Sequence, residues 1–145
     1  MLLDKRTTFA DGVAIPAAGT AVFGDVIDLE SLRNIGESFD LYWYVSCPVA
    51  GADGTSVTLN LITASNAALS SGNTTILTTG AIGVASLTAG ARLFGAALPK
   101  LFSAGIYARY LGISMVTSGT FSAGQLDSGL VTKLPTWRAY AEAVS

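Results

Sequence analysis

The residues best spaced to carry out chemistry are three carboxylates early in the chain, Asp25, Asp28 and Glu30. Two carboxylates are sufficient for glycoside hydrolysis, in which one protonates the leaving group and the other acts as base or nucleophile. Carboxylate oxygens also bind calcium, although this spacing matches no known calcium loop. Since strand ends collect acidic residues without any chemical role, we interpret the three as the solvated end of a strand. The sequence leaves ion binding by them open.

Other reactive side chains are few. The chain contains no histidine, the commonest general base and a common metal ligand, and no nucleotide-binding or nucleophile-elbow motif. Cys47 is the sole cysteine, which excludes an internal disulfide. It follows an apolar segment and has no basic neighbour in sequence, so we predict a small buried residue with an unreactive thiol. We therefore predict a protein that is not an enzyme and that needs no cofactor or metal.

Three consecutive aromatic residues, Tyr42, Trp43 and Tyr44, offer a different chemistry, a platform for binding sugars. Aromatic residues are also ordinary strand formers. In an extended segment Trp43 shares a face with Phe39 and Val45, and both tyrosines point the other way. We predict that Trp43 lies in the core, while the tyrosines face outward or into a subunit contact.

Short apolar segments separated by glycine, serine and threonine must position these residues. Sixteen glycines punctuate the chain, which is typical of an all-β sandwich or barrel. Eight strands in a chain of this length favour a jelly-roll β-sandwich of antiparallel strands, with another sandwich topology left open. Pro48 is predicted to end the second strand. The predicted strands are Ala21–Leu29, Phe39–Ser46, Thr55–Thr63, Thr74–Thr79, Ile82–Leu87, Ala91–Leu98, Ala108–Thr117 and Leu126–Leu134.

The length of 145 residues predicts one domain, 1–145, with ends that differ from its middle. We predict an extended N-terminal arm (1–20), a β-sandwich core (21–134) and a C-terminal tail (135–145). Aromatic residues and arginine are enriched at interfaces, where a few side chains supply most of the binding energy. The predicted contacts with other chains are Asp4, Lys5, Phe9, Trp137, Arg138 and Tyr140.

The composition is poor in charge: 50% of the residues are hydrophobic and 12% are charged, against about 25% in a typical globular protein. No apolar stretch approaches the ~18 residues of a membrane-spanning helix. A chain with a net charge of −2 and scattered basic residues is a poor match for nucleic acid. We interpret the missing charge as surface that is covered by neighbouring subunits. The N-terminus lacks the pattern of a signal peptide, so we expect synthesis in the cytoplasm.

Short motifs in a fixed order along the whole chain resemble one known family. The motifs are Leu3-Asp4-Lys5, Phe9-Ala10-Asp11, Val26-Ile27-Asp28-Leu29, Ile35-Gly36, Leu87-Thr88-Ala89-Gly90, Leu98-Pro99, Ala108-Arg109-Tyr110-Leu111 and Trp137-Arg138-Ala139-Tyr140. Together they resemble the jelly-roll capsid cement, or decoration, proteins of tailed bacteriophages, the type found in a Bordetella phage.

The resemblance implies a function as well as a fold. Proteins of that family form trimers on the outside of the phage head, at three-fold and quasi-three-fold positions, where they bridge major capsid subunits. It thus implies a homotrimer, the major capsid protein as partner, a place on the outer capsid surface of the virion, and no catalytic residues. The alternative is a carbohydrate-binding jelly-roll module of a phage receptor-binding or tail protein, which requires exposed aromatic side chains.

Overall fold

The structure is a computed structural model that describes residues 8–28, 42–98 and 108–131. These residues form eight β-strands and one short 3-10 turn, Val84–Ser86. No helix in this part of the chain is long and apolar enough to cross a membrane. The strands are β1 (Thr8–Ala14), β2 (Gly19–Asp28), β3 (Tyr42–Ala52), β4 (Ser56–Ala64), β5 (Thr74–Gly83), β6 (Ala91–Ala97), β7 (Tyr110–Ser118) and β8 (Ala123–Val131).

The strands form two four-stranded antiparallel sheets. Sheet A has the order β1-β8-β3-β6, and sheet B has the order β2-β7-β4-β5. The first strand therefore pairs with the last, the second with the seventh, the third with the sixth and the fourth with the fifth. A long hairpin that is folded over itself in this way is a jelly roll. The prediction of an all-β jelly-roll sandwich is confirmed.

The core lies between the two sheets and follows the alternation of each strand. Trp43, Val45 and Cys47 of β3 are fully buried, as the period of two predicts for the first two. Sheet B covers them with fully buried aliphatic side chains from its two central strands. Burying each such side chain contributes about 1.5–3 kcal/mol. The side chains from sheet B are Val57, Leu59, Leu61, Leu111, Ile113 and Met115.

The first strand corrects the predicted N-terminal arm, because Thr8–Ala14 pairs with β8 inside the sandwich. Its register shifts twice, once between Thr8 and Ala10 and again between Ala10 and Val13, where Gly12 has φ +64°. Each β-bulge puts an extra residue into the strand and reverses the faces of the residues beyond it. The segment therefore lacks the strict alternation from which a strand is recognised.

Bulges also explain two errors further along the chain. The prediction of two separate strands, Thr74–Thr79 and Ile82–Leu87, is wrong. The structure has one continuous strand, Thr74–Gly83, which is followed by the 3-10 turn. Gly80, with φ +69°, bulges within the strand. There the Thr79 hydroxyl accepts a hydrogen bond of 3.1 Å from the backbone N–H of Leu59.

Pro48 does not end its strand. β3 continues to Ala52, and its register with β8 is irregular between Ser46 and Val49. Proline is tolerated at a bulge because the ladder bond that it cannot donate is already missing there.

Candidate functional site

The three carboxylates singled out in the sequence do not form a shared site in the described structure. Asp28 accepts two hydrogen bonds of 2.9 Å from the guanidinium group of Arg109, in an exposed pair at the end of β2. Asp25 is exposed on the same strand, and Glu30 lies outside the described residues. Among the described residues, no three His, Cys, Asp or Glu side chains come together as metal ligands would. The interpretation as a solvated strand end is confirmed for Asp28, whereas Asp25 is exposed within β2.

Asp25 does border a cleft between β1 and β2. The cleft has a volume of about 360 Å³. Its walls are formed by Thr8, Phe9, Ala10, Asp11 and Val13 of β1 and by Gly24 and Asp25 of β2. Asp11 places a second carboxylate on its wall. Both aspartates are exposed to solvent, so the cleft is an acidic surface groove.

Cys47 is a buried residue, as predicted. Its side chain is fully buried, and its Sγ donates a hydrogen bond of 3.1 Å to the backbone oxygen of Val49. Burial raises the pKa of the thiol, with a smaller contribution from the Asp127 carboxylate, and backbone hydrogen bonds at Gly51 and Val49 offset this in part. Since the thiolate is the nucleophile, this geometry favours an inert side chain.

Trp43 and Tyr44 do not form an exposed aromatic platform. The Trp43 ring is fully buried and lies tilted at 57° to Phe94, with ring centroids 5.1 Å apart. Its Nε1–H donates a 2.8 Å hydrogen bond to Ser128 Oγ, which in turn donates 2.9 Å to the backbone oxygen of Tyr44. The prediction that Trp43 lies in the core is confirmed, and this chain of hydrogen bonds satisfies its polar atom.

Tyr44 lies on the other face of β3, directed away from the core. Its cross-strand neighbours are Gly95 on β6 and Gly129 on β8, neither of which has a side chain. Nevertheless the residue is only 3% exposed. Among the described residues its hydroxyl has no hydrogen-bond partner. Burial raises the pKa of Tyr44 to about 12, and the carboxylates of Asp127 and Asp11 add to the shift because they oppose a phenolate.

We therefore expect the stability of the protein to fall at high pH through this one side chain. The pKa of Tyr44 is higher in the folded state than the ordinary value of about 10. The neutral hydroxyl thus contributes fully to stability below pH 10, and this contribution, ~3 kcal/mol in all, is lost as the pH rises from 10 through 12. Urea unfolding of the wild type and of Tyr44→Phe at pH 8 and at pH 11.5 measures the loss, which we expect to be smaller in the variant.

At neutral pH the same variant should be as stable as the wild type or slightly more stable, because it removes a buried hydroxyl that lacks a partner. An equal loss of stability at high pH in both proteins would contradict the assignment to Tyr44.

The predicted terminal contacts are only partly within the described structure. Phe9 is 1% exposed and belongs to the core of its own subunit, so its predicted role as an interface residue is wrong. β1 directs it inward, against the second sheet. The other five, Asp4, Lys5, Trp137, Arg138 and Tyr140, lie outside the described residues and stay predictions.

The outer face of sheet B carries no charged side chain over the central part of β2, β7 and β4. We call it the uncharged face and define it by Thr20, Val22, Thr58, Asn60, Ser114 and Val116. Val22 is 43% exposed and Val116 is 40% exposed. They are diagonal neighbours, because Val22 lies opposite Ser114 and Val116 lies opposite Thr20. Exposed valines beside small hydroxyl side chains make a flat surface of mixed polarity.

The other end of the same sheet is covered by the chain itself. The loop between β4 and β5 folds back so that Leu69, 4% exposed, packs on Ile62. Asn66 holds the loop, because its side-chain oxygen accepts hydrogen bonds from the N–H groups of Ser70 and Ser71. Gly112 lies beneath it, where a Cβ would stand 2.7 Å from Leu69 Cδ1. The loop thus limits the uncharged face to one half of the sheet.

The outer face of sheet A differs because it carries charge. Ser46 in its middle strand lies opposite Arg92 on one side and Asp127 on the other. The Asp127 carboxylate also accepts a hydrogen bond from the N–H of Gly12 in β1. Sequence reasoning missed both surfaces, since alternation shows which side chains point outward but does not reveal their neighbours on adjacent strands. The one available signal was that Thr58, Asn60, Ser114 and Val116, all without charge, alternate with the core residues of β4 and β7.

Comparison with known proteins identifies the family. Residues 9–130 match the model of the protein family Bbp16. The chain belongs to the Bbp16 family. The name is that of a Bordetella phage protein, so this is a family of phage proteins. No curated protein matches the chain.

The Bbp16 match coincides with the jelly roll. The matched span begins in β1 and ends in β8. It therefore includes the pairing of the first strand with the last in sheet A. Phe9 is the first matched residue, in agreement with its place in the core. The remaining predicted contacts at the two termini lie outside the span matched to the Bbp16 family.

Proposed function

We propose that this member of the Bbp16 family is a capsid cement protein, which binds the outer surface of a tailed-phage head as a homotrimer and stabilises contacts between major capsid subunits. The observation that carries the proposal is the pairing of a phage family with a jelly roll that has an uncharged outer face. Contact surfaces between permanent partners are depleted in charge at their centres. A non-enzymatic, structural role fits such a surface.

The chemistry of the described surfaces favours binding to protein. The uncharged face offers neutral hydrogen-bonding groups, the hydroxyls and the amide of its polar side chains, beside two exposed valines. A protein surface satisfies such groups through many weak contacts. The carbohydrate-binding alternative needs a platform of exposed aromatic side chains, but Trp43 and Tyr44 are buried and Tyr42 is half-buried.

A trimer binds the shell more tightly than a single subunit would, even if each contact is weak. Once one subunit is bound, the other two meet their sites at a high effective concentration, so the overall affinity exceeds that of each contact. A three-fold trimer also matches a three-fold position of a shell, where equivalent capsid subunits repeat around the same axis. The terminal residues Asp4, Lys5, Trp137, Arg138 and Tyr140 remain our predicted contacts to the major capsid protein or between subunits.

Heads that lack the protein test the proposal. We expect them to have the same shell geometry but to release DNA at a lower temperature than complete heads. Adding the purified protein should restore the release temperature, because binding to the intact shell stabilises it by about 2.7 kcal/mol per site at a hundredfold excess over Kd. Dye fluorescence during heating measures DNA release, and co-sedimentation measures occupancy.

An acidic protein of similar mass from another source, added at the same concentration, is the control for non-specific effects. Heads that bind no protein, or that bind it and still release DNA at the unrestored temperature, would exclude the cement function.

A further inference from the structure

The two long sides of the sandwich are closed to different extents. On one side β1 and β2 come together along several residues. Gly24 of β2, with φ +72°, lies so close to β1 that a Cβ would overlap the Phe9 carbonyl group. On the opposite side, where β5 and β6 are the outer strands, the two sheets scarcely approach each other. We call this second side the open side.

Large apolar side chains are incompletely covered along the open side. β5 contributes three and β6 contributes two, and all five pack against the core while part of each remains exposed. A single exposed apolar side chain is ordinary, but a group of them on two neighbouring edge strands marks an interaction surface. We call this group the apolar row; it consists of Ile76, Leu77, Ile82, Leu93 and Phe94.

The edge of β5 is also uncharged. Among the described strands β5 pairs with β4 alone, and its ten residues, Thr74–Gly83, include no charged side chain. Edge strands usually carry charge, proline or strong twist, which prevent further pairing. Two bulges, one at Gly80 and one between Thr75 and Leu77, interrupt this edge. An uncharged edge above a row of apolar side chains is a surface that another protein would cover.

We infer that the open side is the surface through which copies of this chain contact one another around the trimer axis, an inference that rests on the proposed function. Charge favours a second copy as the occupant. The chain has a net charge of −2, and Asp11 and Asp25 lie on the closed side. Copies of an acidic protein meet with least repulsion on a surface without carboxylates, and the open side is such a surface within the described residues.

The dimensions of the open side suit the centre of an interface. Ten residues of strand span ~33 Å, and two packed sheets lie ~10 Å apart. A stable contact buries ~800 Å² per partner, with an apolar centre and a polar rim. A strip of this size supplies the apolar centre of such a contact.

Four lysine variants test the assignment by the mass of the protein in light scattering over a range of concentrations. Ala81→Lys adds a charge to the exposed edge of β5, and Ile82→Lys adds one to the apolar row. Ala18→Lys is the matched control for Ala81→Lys, because it also replaces an exposed alanine with lysine, but in the turn between β1 and β2 on the closed side. Val22→Lys adds a charge to the uncharged face. Circular dichroism checks that each variant keeps its strands.

We expect Ala81→Lys and Ile82→Lys to dissociate at concentrations at least tenfold higher than the wild type, while Ala18→Lys and Val22→Lys stay trimeric. Ala81→Lys keeps the test valid if Ile82→Lys fails to fold, because Ala81 is exposed. Ala81 lies opposite Thr58, at the margin of the uncharged face, and Val22→Lys shows whether a charge on that face alone has the same effect. If both open-side variants stay trimeric, or if Val22→Lys alone dissociates, the open side is not the subunit contact, and the cement function is unaffected. A wild-type mass near the 14.8 kDa of one chain would overturn the trimer and this inference together.

Discussion

Replacing Gly24 with alanine is expected to lower the free energy of unfolding by about 3 kcal/mol. Two effects combine at this position. The backbone has φ +72°, a left-handed conformation that strains a residue with a Cβ. The added Cβ would also overlap the carbonyl oxygen of Phe9 and stand 2.9 Å from its carbonyl carbon. Because the obstacle is backbone of the neighbouring sheet, β1 must move away from β2.

Gly90→Ala is the matched control. Gly90 has φ +83°, and nothing lies within 4 Å of its added Cβ, so this variant isolates the conformational strain at about 1 kcal/mol. Urea unfolding of both variants at one protein concentration gives the difference, which measures the contact between β1 and β2. Equal losses in the two variants would mean that the strands are not in close contact at Gly24.

Ser128→Ala should be nearly as damaging, with a loss of about 2–3 kcal/mol. The Ser128 hydroxyl accepts a hydrogen bond from Trp43 and donates one to the Tyr44 carbonyl, and the residue is fully buried. Its removal leaves the indole N–H without its partner in the core and removes one hydrogen bond to the Tyr44 oxygen. The loss should greatly exceed what the small change in volume alone would cause.

Trp43→Phe in the same background separates the two hydrogen bonds. Phenylalanine has no N–H group, so in this background Ser128→Ala no longer leaves a buried donor without an acceptor. The double variant should therefore be more stable than the sum of the two single losses predicts. A strictly additive result from unfolding of all four proteins would show that the two side chains are not coupled through this hydrogen bond.

The parts of the fold that were predictable from sequence are those with uninterrupted alternation. β3 and β4 carry the pattern that places Trp43, Leu59 and Leu61 inside, and all three are fully buried. β1 and β5 were misread because their bulges, at Gly12 and Gly80, interrupt the period of two. A bulge depends on pairing with a distant strand, so no local pattern announces it.

The functional surfaces were less predictable than the fold, for a related reason. That Val22 points outward follows from its strand, but its nearness to Val116 depends on the register between β2 and β7. Similarly, nothing near Tyr44 in sequence shows that glycines flank it on both neighbouring strands. Family resemblance reached further here than physical reasoning from residues, since the phage family is shown by the match over 9–130.

The strand order also has a consequence for how the chain reaches its folded state. β1 pairs with β8, so the first strand to leave the ribosome must wait for the last before sheet A closes. Only the β4–β5 hairpin joins strands that follow each other directly. Folding dominated by distant pairings takes milliseconds to seconds, and edges stay open meanwhile. Rapid association of newly closed subunits, as in the trimer that we propose, would shorten the time for which those edges stay open.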